Sequence, residues 1–497
     1  MTKRILFSLL SLAFAFSPLT TATNSVLPIY RLNEVQHRIS VQAPQNYEAV
    51  RQLMGWLKQS DYDIAGVNWK NGLIEVITDD PGLAKLNQYR ISYSIIKSRR
   101  SGVDSTEKID SRFLNPQTVE AKLKQLSQQF PQFTRLEQIG ASNQGRPIWA
   151  MLLSSTPQKN DPAYFNKPTL IVDGMHHARE IMTSEIVMDV ADVVLGMKRM
   201  VTPWNQIMDR WNIWIVPMLN VDGNNIVWTQ DNWWRKNGRA NNSKVFGVDI
   251  NRNYPFRWNT CNGSSGSTTS DTYRGDKPGS EPESQALARL GYMTNPTTSL
   301  SYHSYSEIVL YPYGCQGSFT SQAALYQKVG NELAKMIPSD SGNGTYTAGT
   351  PWQLLYSVDG DSMSFMHSEF GALSFTLEVN QSFQPPYELR APTLAKHRKA
   401  WSYFIQRTSQ NLFSLKVTAS LRNRGNAESF AAGDATVAIS SINNTLGEKP
   451  FKTNPAGNFF KVLDPGVYNI TVKLADGRSK QFQIEMKGQP LTEMIQF

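Results

Sequence analysis

Residues 169–199, TLIVDGMHHAREIMTSEIVMDVADVVLGMKR, join a strand-like apolar run, two adjacent histidines, an acid three residues after the second, and a long amphipathic stretch. A short β-like run feeding a helix-length pattern is the repeating unit of an α/β domain. The alternation recurs along the chain: WNIWIVPMLN (211–220) and LSFTLEVN (373–380) are strand-like, and TLAKHRKAWSYFIQRTSQNLF (393–413) is helix-like. Residues 112–412 are therefore expected to form an α/β domain whose central mixed sheet is flanked by helices.

The flanks read differently. Residues 28–98 alternate β-like runs, HRISVQA (37–43) and GLIEVIT (72–78), with one helical stretch, NYEAVRQLMGWLKQ (46–59), which predicts a small α+β domain. The polar, Gly- and Ser-containing stretch 94–111 reads as a linker, assigned to 99–111, and its Arg99–Arg100 pair fits either a protease-sensitive site or a solvated connection. Residues 414–497 carry short alternating runs such as ATVAIS (435–440) and KQFQIEM (480–486) between Gly, Asn, Asp and Pro turns, as in a β-sandwich. Residues 1–22 join Lys3 and Arg4 to the apolar run ILFSLLSLAFAF (5–16) and end in TTA. This is a secretory signal pattern, too short to span a bilayer, and it predicts a secreted or periplasmic chain with no stable membrane insertion after signal removal.

Composition narrows the function classes. The chain has 497 residues, 40% of them apolar and 18% charged, which excludes intrinsic disorder over most of its length. Its net charge of +9 is diffuse, with no basic tract suited to nucleic acid. Two cysteines, Cys261 and Cys315, exclude a disulfide scaffold or a four-thiolate metal site and leave room for one disulfide.

Chemistry concentrates among six histidines. In VDGMHHAREIMTSE (172–185), His177 and Glu180 stand three apart where strand gives way to helix, a spacing that lets both point at one cation. A catalytic zinc takes three protein donors and keeps an open position. His303, at the end of a β-like run in LSYHSYSE (300–307), is the best third donor. His176 is expected to face away, because adjacent residues of an extended segment point to opposite sides.

Six motifs occur in one order: GMHHARE (174–180), NWWRKN (232–237), GVDINRN (247–253), YHSYSE (302–307), LLYSVDGDS (354–362) and SFTLEVN (374–380). With them the chain closely resembles the zinc metallocarboxypeptidases of the carboxypeptidase A/B type over residues 112–412. The resemblance implies one Zn2+ held by His177, Glu180 and His303, with Glu378 as general base and Arg235 stabilising the oxyanion. It also implies that Asn251 and Arg252 clamp the substrate's terminal carboxylate, that Tyr356 closes over it, and that Arg179 lines the approach. Asp249 matches a carboxylate that orients His177. Peptide or protein C-termini are the implied substrates, and residues 28–98 match in size and position the pro-segment that often covers the cleft, with an activating protease as the further partner.

Specificity in the family is read after the closing tyrosine. Here Met363 stands where the Lys/Arg-removing pancreatic enzymes have an aspartate, while Asp361 matches an acidic position of bacterial relatives that accept both classes. This gives an expectation of broad specificity that includes basic residues, with Asp359 and Asp361 as plain turn formers beside Gly360 the competing reading. Two other functions stay open: a cell-wall peptide amidase or carboxypeptidase, and a catalytically silent peptide-binding module.

Overall fold

The computed structural model describes residues 27–44, 46–69, 71–102, 108–197, 204–241, 243–423, 426–441 and 444–497. The expected signal segment, 1–22, lies outside them.

The first unit contains β1 (Val35–Gln42), α1 (Tyr47–Gln59), β2 (Asp63–Asn68), β3 (Leu73–Thr78), α2 (Asp80–Gln88) and β4 (Tyr93–Arg100). Its antiparallel sheet has the order β2-β3-β1-β4, so β2 and β4 are edges. Asn46 and Asp79 start the two helices by accepting from the backbone N–H groups of Ala49 and Gly82. The sequence reading of one helix missed α2, whose apolar stripe is too thin to stand out, with Leu86 its only buried side chain.

The reading of 99–111 as linker is also corrected: Arg99 and Arg100 close strand β4, paired with Gln36 and Val35 of β1. Arg99 is no solvated residue. Its guanidinium pairs with the buried carboxylate of Asp231, donates to Asn232 Oδ1 at 2.7 Å and lies 4.1 Å from the centroid of the Trp233 ring. Ser101, fully buried, donates its backbone N–H to Glu34 at 2.9 Å.

The central unit runs through α3 (Pro116–Gln129), β5 (Thr134–Ala141), β6 (Pro147–Leu153), β7 (Thr169–Gly174), α4 (Met182–Val194), β8 (Asn212–Val216) and α5 (Val221–Thr229). A two-residue ribbon follows, β9 (Ala240–Asn241) with β10 (Lys244–Val245), then α6 (Pro282–Thr294), β11 (Thr298–His303), β12 (Ile308–Leu310), α7 (Ala323–Met336), β13 (Thr347–Gly349), α8 (Pro351–Leu354), α9 (Ser362–Phe370), β14 (Leu373–Glu378) and α10 (Arg390–Gln410). Eight strands form one mixed sheet in the order β13-β12-β14-β11-β7-β8-β6-β5, with β8, β7, β11 and β14 parallel. Every residue of β7, β8 and β11 is buried, which is why these strands read as continuous apolar runs.

Helix α4 is buried on all sides, so its three acids need partners inside the protein. Glu185 and Asp189 pair with Arg390 and Arg398 of α10, and Asp192 with Lys122 of α3, which fixes the helix against its neighbours by charge as well as by packing.

Helix α10 passes after one residue into β15 (Leu412–Asn423) of the last unit, which adds β16 (Asn426–Ala431), β17 (Thr436–Ser440), β18 (Thr445–Lys452), β19 (Asn458–Val462), β20 (Gly466–Lys473), β21 (Ser479–Met486) and β22 (Leu491–Gln496). β15 is flanked by β16, β19 and β22 in one sheet; the other has the order β18-β17-β20-β21. The two sheets enclose a core that includes Phe413, Val437, Phe459 and Ile470.

The basic residues from the end of β4 to the start of α3 are Arg99, Arg100, Lys108 and Arg112, the last paired with Asp110 and Glu388. Arg99 is engaged and Ser101 is buried, whereas Lys108 is exposed on irregular backbone. Limited trypsin digestion of the folded chain is expected to cut first after Lys108, giving a fragment that begins at Ile109. N-terminal sequencing checks this, and a fragment beginning at Arg100 or Ser101 would contradict the placement of Arg99.

Candidate metal and peptide site

Strand β7 ends at Gly174, and Met175 turns the chain with a left-handed φ of 61°. The next residues form a turn rather than the first coil of α4, which starts at Met182. The i, i+3 relation of His177 and Glu180 is nevertheless realised, with the Glu180 N–H on the His177 carbonyl at 3.2 Å and the His177 Nδ1 2.7 Å from Glu180 Oε1. His303 ends β11, two strands' edges having been brought together by the parallel pairing of β7 with β11. Its Nδ1 lies 3.1 Å from His177 Nδ1 and 3.2 Å from Glu180 Oε2.

Two imidazole nitrogens and a carboxylate therefore face one point, the only group of three or more such donors among the described residues. Tetrahedral zinc with bonds of about 2.0–2.1 Å separates its ligand atoms by about 3.3 Å, close to the spacings found. Supporting contacts fit as well. Ser304 donates its backbone N–H to Glu180 Oε2 at 3.1 Å, and Asp249 Oδ1 lies 3.2 Å from His177 Nε2, which fixes the ring so that Nδ1 faces the shared point. Burial pushes the His303 imidazole down to about 4 against the pull of Glu180, so it is neutral and able to donate its lone pair. Burial raises the Glu180 carboxyl, but His177 and His303 outweigh it and hold that carboxyl far below its usual range. The donor set fits zinc.

His176 takes no part. Its Nε2 is 3.0 Å from the Tyr254 hydroxyl and its Nδ1 3.2 Å from Asp173, while its ring stacks on that of His303 at 5.1 Å.

Glu378 ends β14 directly opposite His303 in the parallel ladder. Thr376 and Glu378, two apart on the strand, both face the cleft while Leu377 is buried. Burial and the neighbouring Glu180 push the Glu378 carboxyl up to about 8, partly opposed by Arg235 and Arg252. A divalent cation beside it inverts that logic.

Arg235 is held by Asp249, whose Oδ2 accepts from Nε at 3.2 Å and Nη2 at 2.9 Å, and its Nη1 reaches within 3.9 Å of Glu180. Asp249 also caps the short turn Ile250–Arg252 by accepting from the Asn251 N–H at 3.0 Å. Burial raises the Asp249 carboxyl, and Arg235, Arg252 and His177 together hold it well below the usual range. One buried carboxylate thus fixes a donor imidazole, an arginine and the Asn251 turn.

Asn251 and Arg252 line the same cleft, the latter with Nη2 3.4 Å from the Tyr356 hydroxyl. The cleft floor includes Leu310, Val358, Asp361 and Met363. Asp361 is also the N-cap of α9, accepting from Ser364 N at 2.8 Å, and burial raises its carboxyl despite that bond. Asp359 is an anchor instead, accepting from Cys261 N and Gly263 N at 3.1 and 3.0 Å. Between them Gly360 has φ 65°, and a Cβ there would lie 2.4 Å from the Arg252 carbonyl oxygen. Cys261 and Cys315 form a disulfide that ties the loop around Cys261 to the segment after β12.

Eight of the ten predicted site residues thus line one cleft; the other two are His303, the fully buried third donor beside His177 and Glu180, and Arg179. Arg179 is fully buried and faces the first unit, donating to both oxygens of Asp63 at 2.7 and 2.9 Å. Sequence reasoning missed Asp63, and also Ile64, Ala65 and Gly66, which roof the cleft from β2. DIAGVN has no motif that would have found them. It missed Lys58 too, which burial and Arg252 push down to about 8 and which lies 6.0 Å from the Tyr356 ring centroid.

The zinc carboxypeptidase family, peptidase M14, matches residues 119–400, more than half of the chain. The chain belongs to that family. It is 32% identical over 284 residues to metallocarboxypeptidase A of Trichophyton tonsurans, covering 53% of this chain and 65% of that protein. It is 28% identical over 275 residues to carboxypeptidase B of Rattus norvegicus, covering 54% and 63%. The match thus spans just under two thirds of these relatives. The crystal structure of carboxypeptidase A from Helicoverpa armigera shares the fold, with a TM-score of 0.63, 21% identity, and coverage of 75% of this chain and 97% of that one. The family uses Zn2+, in keeping with the donor set.

The expected consequence is one equivalent of Zn2+ retained by the purified chain. Asp249→Asn, which loses the charge that orients His177, is expected to weaken zinc affinity about 10–100-fold in a chelator competition. An unchanged affinity would contradict the role of Asp249.

Proposed function

We propose that the chain is an exported carboxypeptidase that hydrolyses the C-terminal peptide bond of peptides or proteins. The observation that carries the reading is the convergence in one cleft of the His177–Glu180–His303 donors, a carboxyl at Glu378 and two cationic groups, Arg235 and Arg252. We assign His177, Glu180 and His303 as the zinc ligands. When bound, Zn2+ supplies Lewis-acid activation of water and of the scissile carbonyl.

The chain's own residues do the rest. Arg252, with a planar guanidinium that matches both oxygens of a carboxylate, and Asn251 hold the substrate's free C-terminus. An internal peptide bond offers no such group, so cleavage is confined to the last residue. Tyr356, next to Arg252, closes over the same end. Glu378 accepts a proton from the attacking water as the new C–O bond forms and passes it to the nitrogen as the C–N bond breaks, so that a free amino acid and a shortened peptide leave. Arg235, held by Asp249, faces the oxyanion that develops between these steps.

The pocket floor supports broad specificity. Met363, Leu310 and Val358 suit apolar side chains, and the buried carboxyl of Asp361 gains by meeting a cationic one. The first unit acts as a covering pro-segment: Asp63 occupies Arg179, Val67 N donates to Ser306 Oγ at 3.1 Å, and Trp69 and Tyr47 donate to the carbonyls of Leu354 and Gln353 at 2.8 and 2.6 Å. Activation then means cutting the connection and displacing β2, which implies a protease as partner. Among the described residues no helix is long and apolar enough to cross a membrane.

Glu378→Gln is expected to keep zinc while kcat falls by about 10²-fold or more, measured by amino-acid release from L-peptides by the processed protein. Near-normal turnover would remove Glu378 from the mechanism, and release only from muropeptides would favour the amidase reading. Arg252→Ala is expected to raise KM for peptides with a free C-terminus. An equal effect on C-terminally amidated peptides would remove the clamp.

A further inference from the structure

Helix α9 spans the distance between the cleft and the β-sandwich, and both of its ends are engaged. At its N-terminus Asp361 caps the helix, and Ser362 N donates to Asn251 Oδ1 at 2.9 Å. An amide has one acceptor oxygen and one donor nitrogen, so this bond leaves the Asn251 Nδ2 as the end that faces a ligand. Asp361 and Met363, in the same turn, line the pocket.

At the other end Gly371 closes the helix with φ 70°, and its carbonyl accepts from the ammonium of Lys461, a residue of β19 in the sandwich. Lys461 is 3% exposed, and its ammonium lies 4.6 Å from the centroid of the Phe451 ring on β18. A buried ammonium needs acceptors, and a helix C-terminus with an aromatic face supplies them. A Cβ on Gly371 would lie 2.3 Å from that ring, so β18 is seated directly on the helix end. Lys449 of β18 pairs with Glu369 at 2.6 Å. The sandwich also holds the opposite wall, because Tyr313 donates to Glu448 and the adjoining Gly314 packs against Asp361 Oδ2.

We propose that the C-terminal β-sandwich is a positioning element for the substrate pocket, and that Lys461 and Phe451 set the axial position of α9 and with it Asn251 and Asp361. A nine-residue helix is a rod of about 13 Å, so a displacement at Gly371 reaches Ser362 without loss. The inference rests on the carboxypeptidase reading for its kinetic consequence but not for the coupling itself.

The test uses the zinc-loaded full chain, nicked by trypsin for kinetics. Lys461→Met is expected to raise KM roughly 10-fold, the equivalent of about 1.4 kcal/mol, for peptides ending in Arg or Leu. Here kcat is expected to stay within about twofold and Lys461→Arg to restore much of the loss. Hydrogen exchange of the backbone amides of residues 362–364 should quicken in parallel. Phe451→Leu, which keeps the fold while withdrawing the ring, should act in the same direction if Lys461→Met fails to fold. Unchanged KM and unchanged exchange in a folded variant overturn the proposal, as does a parallel fall in kcat and stability with KM constant. A wild-type protein inactive on every peptide would sink the carboxypeptidase reading, and the exchange at 362–364 would then decide the coupling alone.

Discussion

Parallel pairing of three neighbouring strands is the constraint on which the site depends. β11 pairs with β7 on one side and with β14 on the other, and Tyr302 stands opposite both Gly174 and Leu377. All three strands therefore end along one edge, about 4.8 Å apart in succession. His303 and Glu378 are opposite each other because backbone hydrogen bonds place them so, and His177 and Glu180 come from the turn that the end of β7 releases. A slip of one residue in β14 would turn Glu378 into the core and Leu377 into the cleft. The continuous burial of these strands guards against that slip, and so the hydrophobic core sets the geometry of the polar site.

Charge then sorts the acids along that edge. Asp249 and Glu180 are both buried, but each has cationic or imidazole partners, which keeps both ionised. Glu378 has no ion pair among the described residues; burial and the neighbouring Glu180 drive its carboxyl up. Two carboxylates are thus held ionised and one is not, and this difference in environment is the physical ground for the division of roles proposed above. Asp249 shows how economical the arrangement is. Its two oxygens fix His177, Arg235 and the Asn251 turn at once, so an imidazole donor, a guanidinium and the turn that carries Arg252 share one reference point.

Much of this was legible in the sequence because it is local or motif-borne. The strand run before His177, the i, i+3 spacing and the position of His303 at a strand end are all patterns of a few residues. The parts that were not legible are contacts between distant segments. Asp63 sits in a run with no motif, yet it neutralises Arg179 more than 100 residues away. Arg99 looked like part of a solvated linker because its composition is polar. Its burial follows from Asp231 and Trp233, which composition does not connect to it. Helix α2 is hard to read for another reason, since it is only nine residues long, carries Pro81 and Gly82 in its first turn and buries Leu86 alone. In the sandwich the short alternating strands were visible, β15 among them by its pattern, whereas β18, which is seated on the end of α9, buries only Leu446 and Phe451 and is less regular.

The two appended units are attached by different physics, and that difference bears on what each can do. The first unit reaches the cleft through polar contacts, Asp63 on Arg179, Lys58 on Thr272 and single hydrogen bonds from Tyr47, Val67 and Trp69, and through an apolar seam in which Ala65 and Ile77 pack with Trp233, Tyr305 and Phe383. Water can replace the polar partners, whereas the apolar seam is the part of this interface that resists separation. Arg31 and Arg99 add stronger hold through Asp231, which also accepts from the Trp233 N–H, and Arg31 pairs with Asp271 as well. The sandwich instead continues α10 without a linker, since β15 begins two residues after the helix ends, and it buries Lys461 against a helix carbonyl. Parting there would leave a helix end without its cation and would break the path from α10 into β15. The chain thus carries one unit that meets the cleft through exchangeable polar contacts and a small apolar seam, and one whose β18 and β19 are seated on the end of α9.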